Sequence, residues 1–317
     1  MLRSALRLAA GTASLAGGGW LMRALNDTPA SLGAGPGDIR PVADTSPNYR
    51  DGVFHNLEPA SALRLDSEES RLVLFDMFST RSASRPAGTV PLVTAAATTS
   101  EPLAVSWLGH STALLEIDGY RVLTDPVWSE RCSPSRTVGP QRLHPVPAPL
   151  EALPALDAVV ISHDHYDHLD MDTVLGLVRT QRAPFVVPLG VGAHLRQWRV
   201  PPQRIIELDW NAEARIGDLT LVCTPARHFS GRFLSRNTTL WASWAIIGPQ
   251  HRAYFGGDTG YTRSYWCTFR LAPHPWAEPV ERMLAAADEA GVQAAVPRPG
   301  GRVVAGAAGA IDKWWQL

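Results

Sequence analysis

Residues 163–168 carry an unusual density of metal-binding side chains. His163, His165 and His168 supply imidazoles, and Asp167 supplies a carboxylate. An apolar run at 158–161 comes directly before them, a pattern typical of a buried strand that ends in a tight loop. Imidazole nitrogen and carboxylate oxygen are the ligands that suit zinc and its neighbouring transition metals. The sequence therefore predicts a metal centre at the end of this strand.

Two later residues occupy the same position relative to a predicted strand. His228 follows the apolar run at 219–224, and Asp258 follows the run at 253–255. Gly256 and Gly257 permit a close backbone approach beside Asp258. Taken alone, either residue is more often structural. Because a sheet brings the loops at its strand ends together, we interpret both as further ligands of the same site.

Composition limits the partners of the chain. The 317 residues are 45% hydrophobic, which is enough for one large domain or two small ones. A net charge of −1 provides no global field that would attract nucleic acid. The three cysteines show no C-x-x-C spacing, so we predict reduced thiols and no sulfur-rich metal site.

The N-terminal region differs from the rest. Arg3 and Arg7 precede a weakly apolar stretch at 8–22 whose length suits a signal-peptide core or a marginal membrane anchor. We therefore assign 1–24 to a signal or an anchor, with an unstructured extension left open. Residues 25–60 are predicted to form an irregular linker or a wrapping arm, and 61–317 a single domain. Membrane-associated, cytoplasmic and exported locations all stay open.

Strand patterns dominate from residue 103 onwards. Period-two and short apolar runs predict strands at 104–108, 113–117, 120–124, 157–161, 184–188, 204–208, 219–224, 241–247 and 253–255. Asp118-Gly119 is a strong hairpin signal between two of them. Helices are predicted at 170–180, 192–198 and 278–290. Many strands with a few interspersed helices indicate a layered α/β fold.

The order of these motifs resembles that of a known superfamily. His-x-His-x-Asp-His, a later lone His and a still later Gly-Asp after a strand are typical of the metallo-β-lactamase-fold hydrolases. Further blocks are similar to the N-acylphosphatidylethanolamine-hydrolysing phospholipase D group, at 48–52, 106–112, 123–129, 133–140, 206–210, 240–244 and 256–261. The resemblance implies an α/β fold of the αββα four-layer type.

The resemblance also implies a site with two zinc ions. His163, His165 and His228 would hold the first ion. Asp167 and His168 would hold the second, and Asp258 would bridge the two. With Asp258 and Asp167 as catalytic groups, a metal-bound hydroxide would attack the phosphorus of a phosphodiester.

The substrate implied is a small molecule or a phospholipid-like one, with peripheral membrane contact left open and no nucleic-acid partner. The candidate substrate-binding residues are His110, Trp128 and Arg142. The oligomeric state stays open.

The chain departs from the family after Gly260. The family carries a last metal-ligating His in a late block, and here Tyr265 occupies that position, only seven residues after Asp258. A strand–helix–strand segment that the family places between them is absent. We therefore expect a fold that is incomplete in its C-terminal half and a weakened second metal site, since a neutral phenol binds zinc poorly.

Two alternatives to a phosphodiesterase remain open. One is a lactone or ester hydrolase on the same fold. The other is a degenerate mononuclear or inactive metal-binding protein, because the segment that carries the last ligand is missing.

Overall fold

A computed structural model describes most of the chain, namely residues 28–58, 85–94, 101–232, 234–259, 268–269, 271, 275–307 and 311–317. The predicted signal or anchor at 1–24 lies outside these residues, and so do Tyr265 and Cys267. Within the described ranges, no helix combines the length and apolar character needed to cross a membrane.

Runs of consecutive strands are separated by a few helices in the described residues. In chain order they are α1 (Thr28–Ser31), α2 (Pro36–Ala43), β1 (Tyr49–Arg50), β2 (Val53–Phe54), β3 (Leu103–Gly109), β4 (Thr112–Ile117), β5 (Tyr120–Thr124), β6 (Ala158–Val160), α3 (Met171–Thr180), β7 (Phe185–Pro188), α4 (Val191–Gln197), β8 (Ile205–Leu208), β9 (Glu213–Ile216), β10 (Leu219–Pro225), β11 (Ala242–Ile247), β12 (Arg252–Phe255), α5 (Glu278–Glu289) and β13 (Arg302–Val304).

Two larger sheets organise these elements. The seven-stranded sheet has the order β13-β3-β4-β5-β6-β7-β8, with antiparallel pairing up to β5 and parallel pairing from β5 to β8. The four-stranded sheet has the order β12-β11-β10-β9 and is antiparallel throughout. β1 and β2 form a separate hairpin.

The main core lies between the two sheets. Because side chains alternate across a strand, Val122 and Val160 point into this core, where Leu221 and Trp244 of the small sheet meet them. The opposite face of the large sheet, which includes Leu123, packs against α3 and α4 in a second apolar cluster. The layered α/β architecture predicted from the strand pattern is therefore present.

Of the two interpretations of residues 25–60, only the irregular linker needs correction. In the described part, 28–58, Pro36–Ala43 is a helix and residues 49–54 form a hairpin. Ile39 and Phe54 are buried in the core between the sheets, so the segment packs on the domain as an arm. Its proline and glycine content hid the helix, in which Pro36 takes the first-turn position that proline tolerates.

Besides the hairpin at 49–54, two more strands were missed in the sequence. β9 alternates exposed and half-buried residues at the margin of the small sheet. β13 closes the other sheet, where Arg302 donates to Glu116 Oε2 from Nε at 2.8 Å and from Nη2 at 2.5 Å. In the four-stranded sheet, β12 lies at the edge opposite β9 and is the outermost strand among the described residues. Tyr254 on β12 is 63% exposed.

Candidate metal centre

Strands of the seven-stranded sheet and of the four-stranded sheet bring polar side chains together at one place. β5 and β6 run parallel, while β10 and β12 both pair antiparallel with β11 and so share a direction. The polar residues follow the carboxyl end of their strand in each case. They are His110 after β3, Asp125 after β5, the 163–168 loop after β6, His228 after β10 and Asp258 after β12.

His163, His165 and His228 form what we call the three-histidine side. His165 Nδ1 lies 2.8 Å from His163 Nε2 and 3.4 Å from His228 Nε2. Burial lowers the pKa of all three rings, that of His228 to about 4, so they are neutral near pH 7. Donor nitrogens this close fit a shared cation, because neutral rings have few protons with which to satisfy one another.

His110, Asp167 and His168 form the second group, which we call the aspartate side. Asp167 Oδ2 lies 2.9 Å from His110 Nε2 and 3.4 Å from His168 Nε2, and the two nitrogens are 3.3 Å apart. Burial raises the pKa of Asp167, but the charge of His168 and the hydrogen bond from His110 hold that pKa well below its usual range. The carboxylate is therefore ionised and available to a cation.

Asp258 lies between the two sides. Its Oδ1 is 3.4 Å from His168 Nε2 and its Oδ2 is 3.6 Å from His228 Nε2. Oδ2 is buried and finds no hydrogen-bond partner among the described residues. A buried, unpaired carboxylate oxygen is costly, and a cation bound there would satisfy it. The donor set thus fits a metal centre, and the six ligands predicted from the sequence lie together.

Asp125 orients His168 directly and His163 through Ser162. It is fully buried and accepts hydrogen bonds from Ser162 N at 2.7 Å, Ser162 Oγ at 2.6 Å and His168 Nδ1 at 2.6 Å. Ser162 Oγ in turn lies 2.9 Å from His163 Nδ1. With Nδ1 engaged on both rings, Nε2 is the nitrogen that points into the site. Burial lowers the pKa of His168, but Asp258, Asp167 and Asp125 outweigh it and hold that pKa well above its usual range.

Asp164 was not predicted to matter, although it stands inside the motif. Its Oδ1 accepts from Gly231 N at 2.7 Å, and its Oδ2 lies 3.3 Å from His194 Nε2. Arg232 Nη1 donates to the Asp164 carbonyl at 2.7 Å. These bonds connect the 163–168 loop to the loop that carries His228. The pairing depends on residues far apart in sequence, so no local signal predicts it.

The candidate substrate residues divide into two kinds. His110 lies in the site, whereas Trp128 packs on the core cluster beneath the large sheet and donates from Nε1 to Ala148 O at 2.9 Å. Arg142 donates to Ser129 O at 2.8 Å and to Val127 O, and burial lowers the pKa of its guanidinium to about 10. These contacts give Trp128 and Arg142 structural roles, and their contact with substrate stays a prediction.

Comparison with known proteins identifies the family. Residues 120–297 match the model of the β-lactamase superfamily domain. An uncharacterised protein of Mycobacterium tuberculosis is 58% identical, with both chains covered in full. The N-acyl-phosphatidylethanolamine-hydrolyzing phospholipase D 1 of Caenorhabditis elegans is 40% identical over 168 residues, which are 50% of this chain and 47% of the worm protein. The chain therefore belongs to the metallo-β-lactamase superfamily and is a metal-dependent hydrolase of that fold.

Solved structures and alignment length add two facts. A metallo hydrolase of Ignicoccus hospitalis is 23% identical, with 51% of this chain and 63% of that chain covered at a TM-score of 0.37. The alignment with the Mycobacterium tuberculosis protein spans 372 positions against 317 residues here, so at least 55 positions have no residue in this chain. A shortfall of that size is large enough to hold the strand–helix–strand segment expected to be missing, which needs about 30 residues.

Proposed function

We propose that this hydrolase cleaves a phosphodiester in a phospholipid-like molecule, with zinc as its metal. The observation that carries the proposal is the position of Asp258, whose two carboxylate oxygens face one histidine of each side at 3.4 and 3.6 Å. A carboxylate in this position suits two neighbouring cations better than one. Two cations about 3.5–4 Å apart would activate a water and clamp the attacking and leaving oxygens of an in-line displacement at phosphorus.

The choice of zinc follows from the donor atoms. The three-histidine side offers nitrogen only, and the aspartate side offers two imidazoles and a carboxylate. Magnesium and calcium prefer oxygen ligands, while imidazole suits zinc and its transition-metal neighbours. Among these metals, zinc suits a hydrolytic role because Zn²⁺ does not take part in redox reactions.

Relatives support the phosphodiester over other substrates. The worm protein and a mitochondrial Saccharomyces cerevisiae protein are both named as phospholipases D that hydrolyse N-acyl-phosphatidylethanolamine. The chain spans 47% of the first and 35% of the second, at 40% and 30% identity over the matched residues.

Apolar side chains beside the centre support an acyl-bearing substrate. Phe229 is 37% exposed, and its ring centroid lies 4.6 Å from those of both His165 and His228. Leu57 is 65% exposed and follows Asn56, whose side chain bonds the backbone of His228. An acyl chain lying on these residues would bury apolar surface next to the reacting group.

The chain's own residues then divide the work. Asp258 and Asp167 are ionised and half-buried, so they fix positive charge where the phosphate would bind. Asp125 and Ser162 hold the histidine rings in orientation. Phe229 shields one face of the three-histidine side from water.

The proposal is tested with the full chain after zinc reconstitution. Hydrolysis of bis(p-nitrophenyl) phosphate and of N-acyl-phosphatidylethanolamine in mixed micelles is compared with hydrolysis of p-nitrophenyl acetate and a simple lactone. We expect phosphodiester turnover that a chelator abolishes and zinc restores. A His251→Asn variant, changed far from the centre, serves as the matched control. Turnover of the ester or lactone without the phosphodiesters would refute the proposal in favour of an esterase or lactonase.

A further inference from the structure

The backbone at His110 is held in an uncommon conformation. Its φ is 49°, in the left-handed region that few residues other than glycine adopt, and the preceding Gly109 has a φ of 113°. His110 N donates to Thr268 Oγ1 at 2.6 Å, and its carbonyl accepts from Trp107 Nε1 at 2.8 Å. Strained backbone of this kind persists where the surroundings fix it, and it often marks a functional position.

This conformation directs the imidazole at the aspartate side. The side chain is 4% exposed, and its Nε2 is 2.9 Å from Asp167 Oδ2 and 3.3 Å from His168 Nε2. The ring packs edge-on against Phe269, with centroids 5.9 Å apart. One donor atom from each of His110, Asp167 and His168 lies within 4.8 Å of the others, and this is also true of the three-histidine side.

The number of protein donor atoms on each side shows why the position of His110 matters. With Asp258 shared, the three-histidine side has four protein donors, the usual number for zinc. Without His110, the aspartate side has only Asp167, His168 and the same Asp258 among the described residues. With His110 it also reaches four. Tyr265, which stands at the family's last ligand position, is a poor substitute.

We propose that His110 is a direct ligand of the second metal ion and replaces the histidine that the shortened segment after Gly260 no longer supplies. The expectation of a weakened second site is then revised, since the aspartate side would be complete. The proposal rests on the two-metal centre of the proposed function. It does not depend on the substrate, because every readout below is of metal binding.

The main alternative is that His110 only hydrogen-bonds Asp167. His110→Gln separates the two roles. The glutamine amide nitrogen occupies the position of the imidazole Nε2 and can still donate to Asp167, but glutamine lacks an imidazole nitrogen. His165→Asn is the matched change on the three-histidine side, and His251→Asn removes a histidine that pairs with Asp118 at the hairpin, outside both sides.

The experiment counts zinc in the purified full chain after dialysis against a graded chelator, and records the cobalt absorption spectrum of each variant. We expect two zinc equivalents in the unaltered chain and in His251→Asn. In His110→Gln, the affinity for the second equivalent should fall by about 100-fold or more, which exceeds the loss caused by removing a residue that only hydrogen-bonds a metal ligand. The cobalt spectrum of the second equivalent should change with it.

Two results would overturn the proposal. One is a His110→Gln variant that keeps two equivalents at unaltered affinity. The other is an unaltered chain that binds one equivalent, with His110→Gln binding it equally well. If the variants do not fold, the ¹⁵N shifts of histidine-labelled unaltered chain decide, because a coordinated His110 Nε2 must shift when the second equivalent is added. Intact metal binding without phosphodiester turnover would refute the proposed function alone.

Discussion

The three-histidine side and the aspartate side of the centre are built differently. The first offers three neutral nitrogens from loops that follow well-paired strands, with burial lowering each pKa. The second mixes a carboxylate with imidazoles, and the neighbouring carboxylates raise the pKa of His168 while that of Asp167 falls. It also relies on two residues with positive φ, His110 at 49° and Asp125 at 35°.

Because of this difference, a chain shortened after Gly260 keeps all ligands of the three-histidine side but loses one ligand of the aspartate side. The three-histidine side takes its ligands from 163–165 and His228, upstream of Gly260. The aspartate side is where the family's last ligand would have contributed. A centre that keeps two ions therefore needs a local substitute on that side alone.

The largest expected effect comes from the residue common to both sides. Asp258→Asn keeps the shape of the side chain but removes the charge that faces His168 and His228. We expect both ions to bind more weakly and phosphodiester turnover to fall about 1000-fold or more, a loss of about 4 kcal/mol or more. Metal analysis and turnover check this. Retention of one ion at full affinity would show that Asp258 serves a single side.

A change on one side should leave the other intact. His228→Ala removes one nitrogen from the three-histidine side, so one equivalent of zinc should be lost while the equivalent on the aspartate side remains. Turnover should fall by more than about 10–100-fold, which is the loss expected when a residue that only hydrogen-bonds a metal ligand is removed. Chelator competition measures the two affinities separately, and loss of both equivalents would contradict the independence of the sides.

Removing a residue that hydrogen-bonds a ligand should lower metal affinity less than removing the ligand itself. Asp125→Asn weakens the acceptor for His168 Nδ1 but leaves every ligand present. The affinity for the second equivalent should fall by about 10–100-fold. Ser162→Ala is the matched change that acts on His163. Equal effects of both variants on both equivalents, in the same chelator titration, would mean that Asp125 and Ser162 act as one unit.

The smallest effect concerns stability beside Asp258. Gly257 has a φ of 52°, and a Cβ there would lie 2.6 Å from Ser162 Cβ. Gly257→Ala should lower the free energy of unfolding by about 1–3 kcal/mol from crowding, besides the left-handed strain. Gly291→Ala has similar strain, with a φ of 64° and nothing within 4 Å, and is the control. Equal losses in chemical denaturation of the two variants would show that the contact with Ser162 is not tight.

Much of this picture could be predicted from local sequence. The 163–168 motif, His228 and Asp258 each follow an apolar run, so the strand pattern placed them at strand ends. Their division between two ions was implied by the family resemblance. The helix at 36–43 was hidden by its prolines, and β13 by its distance from the strand it pairs with. Asp125, Ser162 and Asp164 act through contacts between distant segments, which spacing does not encode.

The most direct test of the two-sided centre is anomalous scattering from zinc-loaded crystals of the full chain, recorded on both sides of the zinc edge. We predict two peaks about 3.5–4 Å apart, one beside His163, His165 and His228 and the other beside Asp167, His168 and His110, with Asp258 between them. A single peak, or two peaks that Asp258 does not bridge, would contradict the account.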